Sequence, residues 1–254
     1  MSRDDKWLTD MFAEITRDVG SPAAGRDATV QYAPFWPDAE ILQRCEAVLS
    51  PDERNTASRF ITSSGEAEFV FRRAFRRYCA REGTGWELPL AQFRFSETGN
   101  GRPFLAGRPE IWFSFSSCPS GCLAAWSESH AVGIDIENSR QNLEAAELAG
   151  RYFSEDESEL VAAQGVTAFL RFWSLKEAAL KSIGEGMPFG MDAFQFELAP
   201  TTRIVRAPFR SGAFRAYEIP IAGSTAALVT RRRRNSAVSS NSVGGHHGER
   251  QYAT

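Results

Sequence analysis

Phe172-Trp173-Ser174-Leu175-Lys176-Glu177-Ala178-Ala179-Leu180-Lys181 is the stretch on which the fold and the chemistry of this chain turn. Helix formers dominate residues 168–183 and Gly184 follows as a stop, so one helix is predicted, turning about 100° per residue. Phe172, Leu175, Ala179, Leu180 and Ile183 then make one broad apolar arc. Lys176 falls inside that arc, and Glu177 and Lys181 lie along its margin at an i, i+4 spacing. Two readings are open. In one, Lys176 snorkels out of the core and Glu177–Lys181 is a solvated pair contributing about 0.3 kcal/mol. In the other, the arc borders a cleft that holds an anion and a cation, and it needs partners elsewhere in the chain.

The nearest partner upstream is Ala131-Val132-Gly133-Ile134-Asp135-Ile136-Glu137. Its period is that of a strand, with Val132, Ile134 and Ile136 facing one way and Gly133, Asp135 and Glu137 the other. The two carboxylates share a face with Cα atoms roughly 6.5–7 Å apart. This is either the solvent face of an edge strand or a seat for a hard divalent cation. Gly133, on the same face, clears room for a ligand where strand propensity argues against glycine. Glu177 supplies a third oxygen ligand if its helix lies against this strand. Residues 122–127 also read as a strand, and the three-residue link to 131–137 predicts an antiparallel hairpin.

Further out, Ser50-Pro51-Asp52-Glu53 and Ser154-Glu155-Asp156-Glu157 are both capped helix starts with a glutamate at capping-box spacing. Helices are expected at 50–60, 66–81 and 143–152, and strands at 30–35, 91–95, 102–105, 111–116, 194–198, 214–219 and 225–230. The two serine caps lie 104 residues apart, and the same offset lays Arg72 and Arg77 over Lys176 and Lys181. The expected fold is therefore α+β: two similar α/β lobes related by a pseudo-twofold axis, each a small, mostly antiparallel sheet with packed helices. The expected division is a loosely attached leader at 1–30, an N-terminal lobe at 31–127, a C-terminal lobe at 128–230 and a disordered arginine-rich tail at 231–254.

Composition narrows the class. Apolar residues make up 43% of the 254 and charged residues 24%, ordinary for a globular protein. No apolar run is long enough to span a bilayer, and the charged N-terminus leads into no signal-like segment, so a cytoplasmic protein without membrane attachment is expected. Cys45, Cys79, Cys118 and Cys122 form no CxxC pair and read as reduced structural thiols. Residues 1–230 carry a net charge of −7 and the tail +4, without basic-aromatic interleaving, which argues against a nucleic-acid partner.

Gly133-x-Asp135-x-Glu137, followed 36 residues later by Trp173-x-x-Lys176-Glu177-Ala178-x-x-Lys181, resembles the paired signature of the 4′-phosphopantetheinyl transferases. Leu49-Ser50-Pro51-Asp52-Glu53, Arg73-Ala74-x-x-Arg77, Gly101-Arg102-Pro103, Phe113-Ser114-Phe115-Ser116 and Arg151-Tyr152-Phe153-Ser154 widen the match to residues 47–198. The length is similar to that of the surfactin-type, two-lobed, monomeric branch. The resemblance implies transfer of phosphopantetheine from coenzyme A to a serine of an apo acyl, peptidyl or aryl carrier protein, with release of adenosine 3′,5′-bisphosphate. It implies Mg2+ held by Asp135, Glu137 and Glu177, with Glu177 as base and with Lys181 and Asp135 in the catalytic set. Arg73, Arg77, Arg102, Ser116, Ser117, Lys176 and Lys181 are the expected coenzyme contacts, Lys181 ahead of Lys176 for the pyrophosphate. Where the family usually has a histidine, this chain has Ser117, which implies weaker coenzyme A binding or lower discrimination against 3′-dephospho-coenzyme A. The alternative is a catalytically weak or inactive member that only binds carrier proteins or coenzyme A.

Overall fold

The computed structural model describes residues 3–19, 27–35, 38–138, 143–198, 201–209 and 213–233. The chain begins with helix α1 (Arg3–Ile15), then strands β1 (Arg17–Asp18) and β2 (Thr29–Pro34) and helix α2 (Ala39–Ala47). Leu8, Met11 and Phe12 of α1 are buried against the helices that follow. The segment expected to be a loose leader is therefore a packed element up to Ile15, held by its apolar stripe.

Helix α3 (Pro51–Ala57) opens on the capping box of Ser50 and Glu53, and the longer α4 (Ser63–Thr84) carries the arginines. The strand expected at 91–95 is instead a 3-10 turn over Leu90–Gln92, followed by β3 (Phe95–Glu97). The Gln92 and Phe93 N–H groups donate back to the carbonyls of Pro89 and Leu90 at 2.8 and 3.2 Å, which uses donors that strand pairing would need, and Asp5 of α1 anchors the turn by accepting the Leu90 N–H at 2.6 Å. Then come β4 (Pro103–Leu105), β5 (Trp112–Cys118), β6 (Gly121–Ser127) and β7 (His130–Asn138). Helices α5 (Ala145–Tyr152), α6 (Glu155–Gln164) and α7 (Val166–Ile183) follow, and β8 (Gln195–Glu197), β9 (Arg203–Arg206), β10 (Phe214–Ile221) and β11 (Ser224–Arg232) close the chain.

The fold is α+β with small antiparallel sheets, the main ones ordered β1-β2-β6-β5 and β10-β11-β7. The hairpin expected between 122–127 and 131–137 does not form, because β6 pairs β2 and β5 while β7 pairs β11. Ser127 Oγ accepts the backbone N–H groups of Ser129 and His130 at 3.3 and 3.1 Å, turning the chain from one sheet into the other. Val132, Ile134 and Ile136 then meet Val30, Leu123 and Ala125 in an apolar seam between the sheets. The helices cover the outer faces, with α1, α2 and α4 on the first sheet and α5 to α7 on the second.

The arginine run expected to be disordered begins inside the fold. Arg231 and Arg232 continue β11, and the Arg233 guanidinium donates to the carbonyls of Glu110 and Glu128. The rest of the expected tail, from Arg234, lies outside the described residues. No helix among the described residues is long and apolar enough to cross a membrane.

Candidate active site

Helix α7 lies directly on β7. A Cβ at position 133 would fall 1.9 Å from the carbonyl oxygen of Ala178, so only glycine lets the two backbones meet. The room Gly133 makes is filled by this helix, which corrects the expectation of space for a ligand. The approach puts the Lys181 ammonium 2.7 Å from Asp135 Oδ1, and it also donates to the Ile134 carbonyl at 3.1 Å.

From the other side β5 adds its even-numbered serines. Ser114 Oγ accepts the Ile134 N–H at 3.0 Å, and Ser116 Oγ donates to Asp135 Oδ1 at 2.9 Å. Ser116 thus reaches the Asp135 carboxylate, a contact additional to the expected coenzyme role. One Asp135 oxygen is shared by two donors while Oδ2, buried, has no hydrogen-bond partner among the described residues. Glu177 is half-buried beside it. Burial pushes the Glu177 carboxyl above its ordinary pKa, and the Asp135 and Glu137 charges add to that against the opposing pull of Lys181.

Lys176 is placed elsewhere. Its ammonium has no solvent exposure, pairs with Glu157 Oε2 at 2.8 Å and donates to the carbonyls of Met191 and Phe194 at 3.1 and 2.6 Å. Burial lowers its pKa, with Glu157 opposing. The expected phosphate contact at Lys176 is therefore corrected, since all three ammonium protons have acceptors inside the core. Arg77 is corrected in the same way. Its guanidinium is buried and forks onto Glu53 at 2.6 and 3.2 Å.

The cation-lined surface comes instead from the other stripe of α4. Arg72, Arg73 and Arg76 line a cavity of 330 Å³ with Phe115, Ser116 and Ser117. A second cavity of 150 Å³ shares Arg76 and Phe115 with the first, so the two adjoin, and it adds Arg102 and Lys181. Asp135 lines neither cavity and is tied to them through Ser116 and Lys181. The Arg102 guanidinium lies over the Trp112 ring at 3.9 Å, and its buried Nη1 has no hydrogen-bond partner among the described residues. Arg73 keeps one long contact to Glu53, 3.8 Å. Arg72 and Arg76 were not among the sequence candidates. Their signal was the spacing, since Arg72/Arg76 and Arg73/Arg77 form two i, i+4 stripes about 100° apart, and Glu53 claims one of them.

No group of three His, Cys, Asp or Glu side chains among the described residues is gathered closely enough to hold a metal ion as it stands. The donor chemistry nevertheless suits a hard divalent cation: a buried carboxylate oxygen without a partner at Asp135, and a neighbouring carboxyl whose charge is disfavoured at Glu177.

Comparison with known proteins gives this groove its class. Residues 131–229 match the family described as the 4′-phosphopantetheinyl transferase superfamily. The chain is 30% identical over 167 residues to the 4′-phosphopantetheinyl transferase HetI of Nostoc sp., covering 63% of this chain and 69% of that protein. It is 27% identical over 164 residues to the 4′-phosphopantetheinyl transferase Sfp of Bacillus subtilis, covering 63% and 70%. An L-aminoadipate-semialdehyde dehydrogenase-phosphopantetheinyl transferase of Xenopus laevis is 27% identical over 174 residues, covering 62% of this chain and 57% of its own length. A cation-lined groove in such company defines a group-transferring enzyme. The chain belongs to the 4′-phosphopantetheinyl transferase superfamily.

Proposed function

We propose that this enzyme transfers 4′-phosphopantetheine from coenzyme A to a serine hydroxyl of an apo carrier protein and releases adenosine 3′,5′-bisphosphate. The observation that carries the reading is the pair of adjoining cavities lined by Arg72, Arg76, Arg102 and Lys181, with Lys181 and Ser116 both bonded to the Asp135 carboxylate. A coenzyme with a pyrophosphate and a separate phosphate needs cations spaced along one channel, with carboxylates at the end where bonds change.

Lys181 and Arg102 bind the pyrophosphate oxygens by charge-assisted hydrogen bonds. Glu177 takes the proton of the carrier serine, and the burial that raises its pKa makes the carboxylate a stronger base. The serine oxygen bonds to the phosphorus carrying pantetheine while the bond to the bridging pyrophosphate oxygen breaks, and the nucleotide leaves with that oxygen. Asp135, Glu137 and Glu177 are the residues that would hold Mg2+, which when bound supplies neutralisation of phosphate charge. Lys181 and Ser116 hold the Asp135 carboxylate in place beside Glu177.

The two capping-box helix pairs, Ser50 before α3 and α4 and Ser154 before α6 and α7, support a duplicated, two-lobed design with lobes near 31–127 and 128–230. Four free thiols support a reducing, cytoplasmic setting.

The test is the intact mass of apo acyl, peptidyl and aryl carrier proteins after incubation with the enzyme, coenzyme A and Mg2+. One carrier gaining a phosphopantetheine mass is expected. No gain on any carrier class at any Mg2+ level leaves only a binding role.

A further inference from the structure

Strand β5 turns Ser114 and Ser116 toward β7, and both interrupt surroundings that are otherwise apolar. Their cross-strand neighbours on β6, Ala125 and Leu123, belong to the apolar seam between the sheets, and Ser114 is itself buried. A buried hydroxyl is unfavourable unless it is hydrogen-bonded, so these serines need partners that an apolar residue could not serve. Both partners are on β7. Ser114 Oγ accepts the Ile134 N–H at 3.0 Å, and Ser116 Oγ donates to Asp135 Oδ1 at 2.9 Å.

Those bonds stand where a strand ladder is missing. Among the described residues β5 ladders with β6 and β7 with β11, and each ends its sheet, although β5 runs against β7. The edge of β7 therefore presents main-chain groups that strand pairing leaves open. At Ile134 side chains take both: Ser114 the N–H, and Lys181 of α7 the carbonyl, at 3.1 Å. Asp135 is held in the same way, its Oδ1 receiving Ser116 and, at 2.7 Å, Lys181. A serine hydroxyl has a single proton, and that of Ser116 goes to the carboxylate. The two main sheets are thus joined at the site by two side chains that grip adjacent residues. One fixes the strand backbone, the other the carboxylate it carries.

We propose that Ser114 and Ser116 work as one joint between the sheets and are positioning residues for the Asp135 carboxylate. Ser114 sets the height of β7 against β5, and Ser116 turns Asp135 so that Oδ1 is occupied and Oδ2 is left for a cation. Ser114 acts wholly through the Ile134 backbone. The proposal rests on the reading that Asp135 belongs to the cation-holding set.

The test separates positioning from binding of the coenzyme. Mg2+ is titrated calorimetrically into the full chain, and transfer to a carrier is followed at saturating Mg2+. Ser116→Ala is expected to weaken Mg2+ binding about tenfold and Ser114→Ala about threefold or more, the scale for losing groups that orient a metal ligand. Both lower kcat about fivefold or more and leave the KM for coenzyme A within about twofold. Amide exchange at Ile134 quickens in Ser114→Ala while the ladder amides of β10 keep their rates. Ser114→Thr, which retains the acceptor, restores Mg2+ affinity and kcat, a recovery that a general loss of packing would not show. The exposed Ser58→Ala changes none of these. Serine variants with unchanged Mg2+ affinity and kcat overturn the proposal, as do variants whose main effect is on the KM for coenzyme A. If Ser114→Ala fails to fold, Ser114→Cys, similar in volume but a weak acceptor, decides it by the same readouts. If the wild type takes up no Mg2+ but the kcat losses and the rescue by Ser114→Thr hold, the positioning role stands and the cation reading falls. If Asp135→Asn weakens Mg2+ binding and the serine variants do not, the cation reading stands and this one falls. If no carrier gains mass, the transferase reading falls, and Mg2+ affinity decides this proposal by the same fold-changes.

Discussion

Glu157 closes the Ser154 capping box at the start of α6 and also holds the Lys176 ammonium 2.8 Å away in the core. Glu53 does the same for Arg77 after closing the Ser50 box. In each half, one glutamate anchors a helix start and clamps a cation of the next helix, fixing the height and rotation of α4 and α7. For α7 that rotation decides which residues face β7, and so where Glu177 and Lys181 lie.

Removing the cation from the second clamp leaves a buried carboxylate unpaired. Lys176→Met is expected to lower stability by about 3–5 kcal/mol in urea unfolding. Adding Glu157→Gln, which keeps an acceptor for the Phe196 N–H, should recover most of the loss. The folded fraction of Lys176→Met keeps a near-normal KM for coenzyme A, whereas Lys181→Ala raises it. A stable Lys176→Met protein with a raised KM would return Lys176 to the phosphate site.

Gly133 sets the separation of α7 and β7. An added methyl meets Ala178 O at 1.9 Å and Ser182 N at 2.4 Å, both backbone atoms that cannot rotate away. Gly133→Ala should cost about 1–3 kcal/mol as the helix retreats. Transfer activity should fall further than stability does, because the 2.7 Å Lys181–Asp135 contact spans that interface. Urea midpoints and kcat/KM measured on one preparation check this, and activity falling only in step with the folded fraction would count against it.

Much of this was legible from local pattern. The two serine caps, the helix ending at Gly184 and the period of β7 follow from short-range rules, and each appears in the structure. What failed depended on partners distant in sequence. β6 and β7 read as a hairpin because only three residues part them, yet the apolar sets of both strands are better buried by stacking than by pairing. Lys176 in an apolar arc has two physical solutions, snorkelling or a buried pair, and the second is selected by Glu157, Met191 and Phe194, which helical periodicity does not reveal. The arginines of α4 likewise divide only once Glu53 has taken one stripe.

Glu53 also gives a pH dependence with a definite sign. Burial works to raise its pKa, but hydrogen bonds from Arg77 and from the Ser50 N–H outweigh it and hold the carboxyl below its ordinary value of 4.5. The unfolded chain therefore takes up this proton first as pH falls. The stabilisation is full above about 4.5 and is lost as pH drops through the lowered folded value. Glu53→Gln is expected to destabilise by about 2 kcal/mol at pH 7, typical of losing hydrogen bonds to a charged group. The gap between the two proteins should close as unfolding is repeated at successively lower pH below 4.5. A gap that does not change with pH would remove the ionised pair as its cause.

The last prediction concerns the carboxylates. In the structure Asp135 Oδ2 is buried without a partner, and Glu177 is pushed toward its neutral form by burial and by its acidic neighbours. Both features are unfavourable for folding alone, and a divalent cation relieves both at once. Mg2+ should therefore raise the melting temperature of the wild type, and Asp135→Asn should weaken Mg2+ affinity by tenfold or more in calorimetry, a readout independent of turnover. Glu177→Gln should weaken Mg2+ binding and also lower kcat by about 10²–10⁴, the range for losing a general base. Glu137→Gln should weaken Mg2+ binding without the full loss of kcat, since no proton transfer is assigned to it. If Asp135→Asn and Glu177→Gln bind Mg2+ as the wild type does while transfer is lost, these residues act on the donor or the serine directly, and the cation site lies elsewhere in the groove.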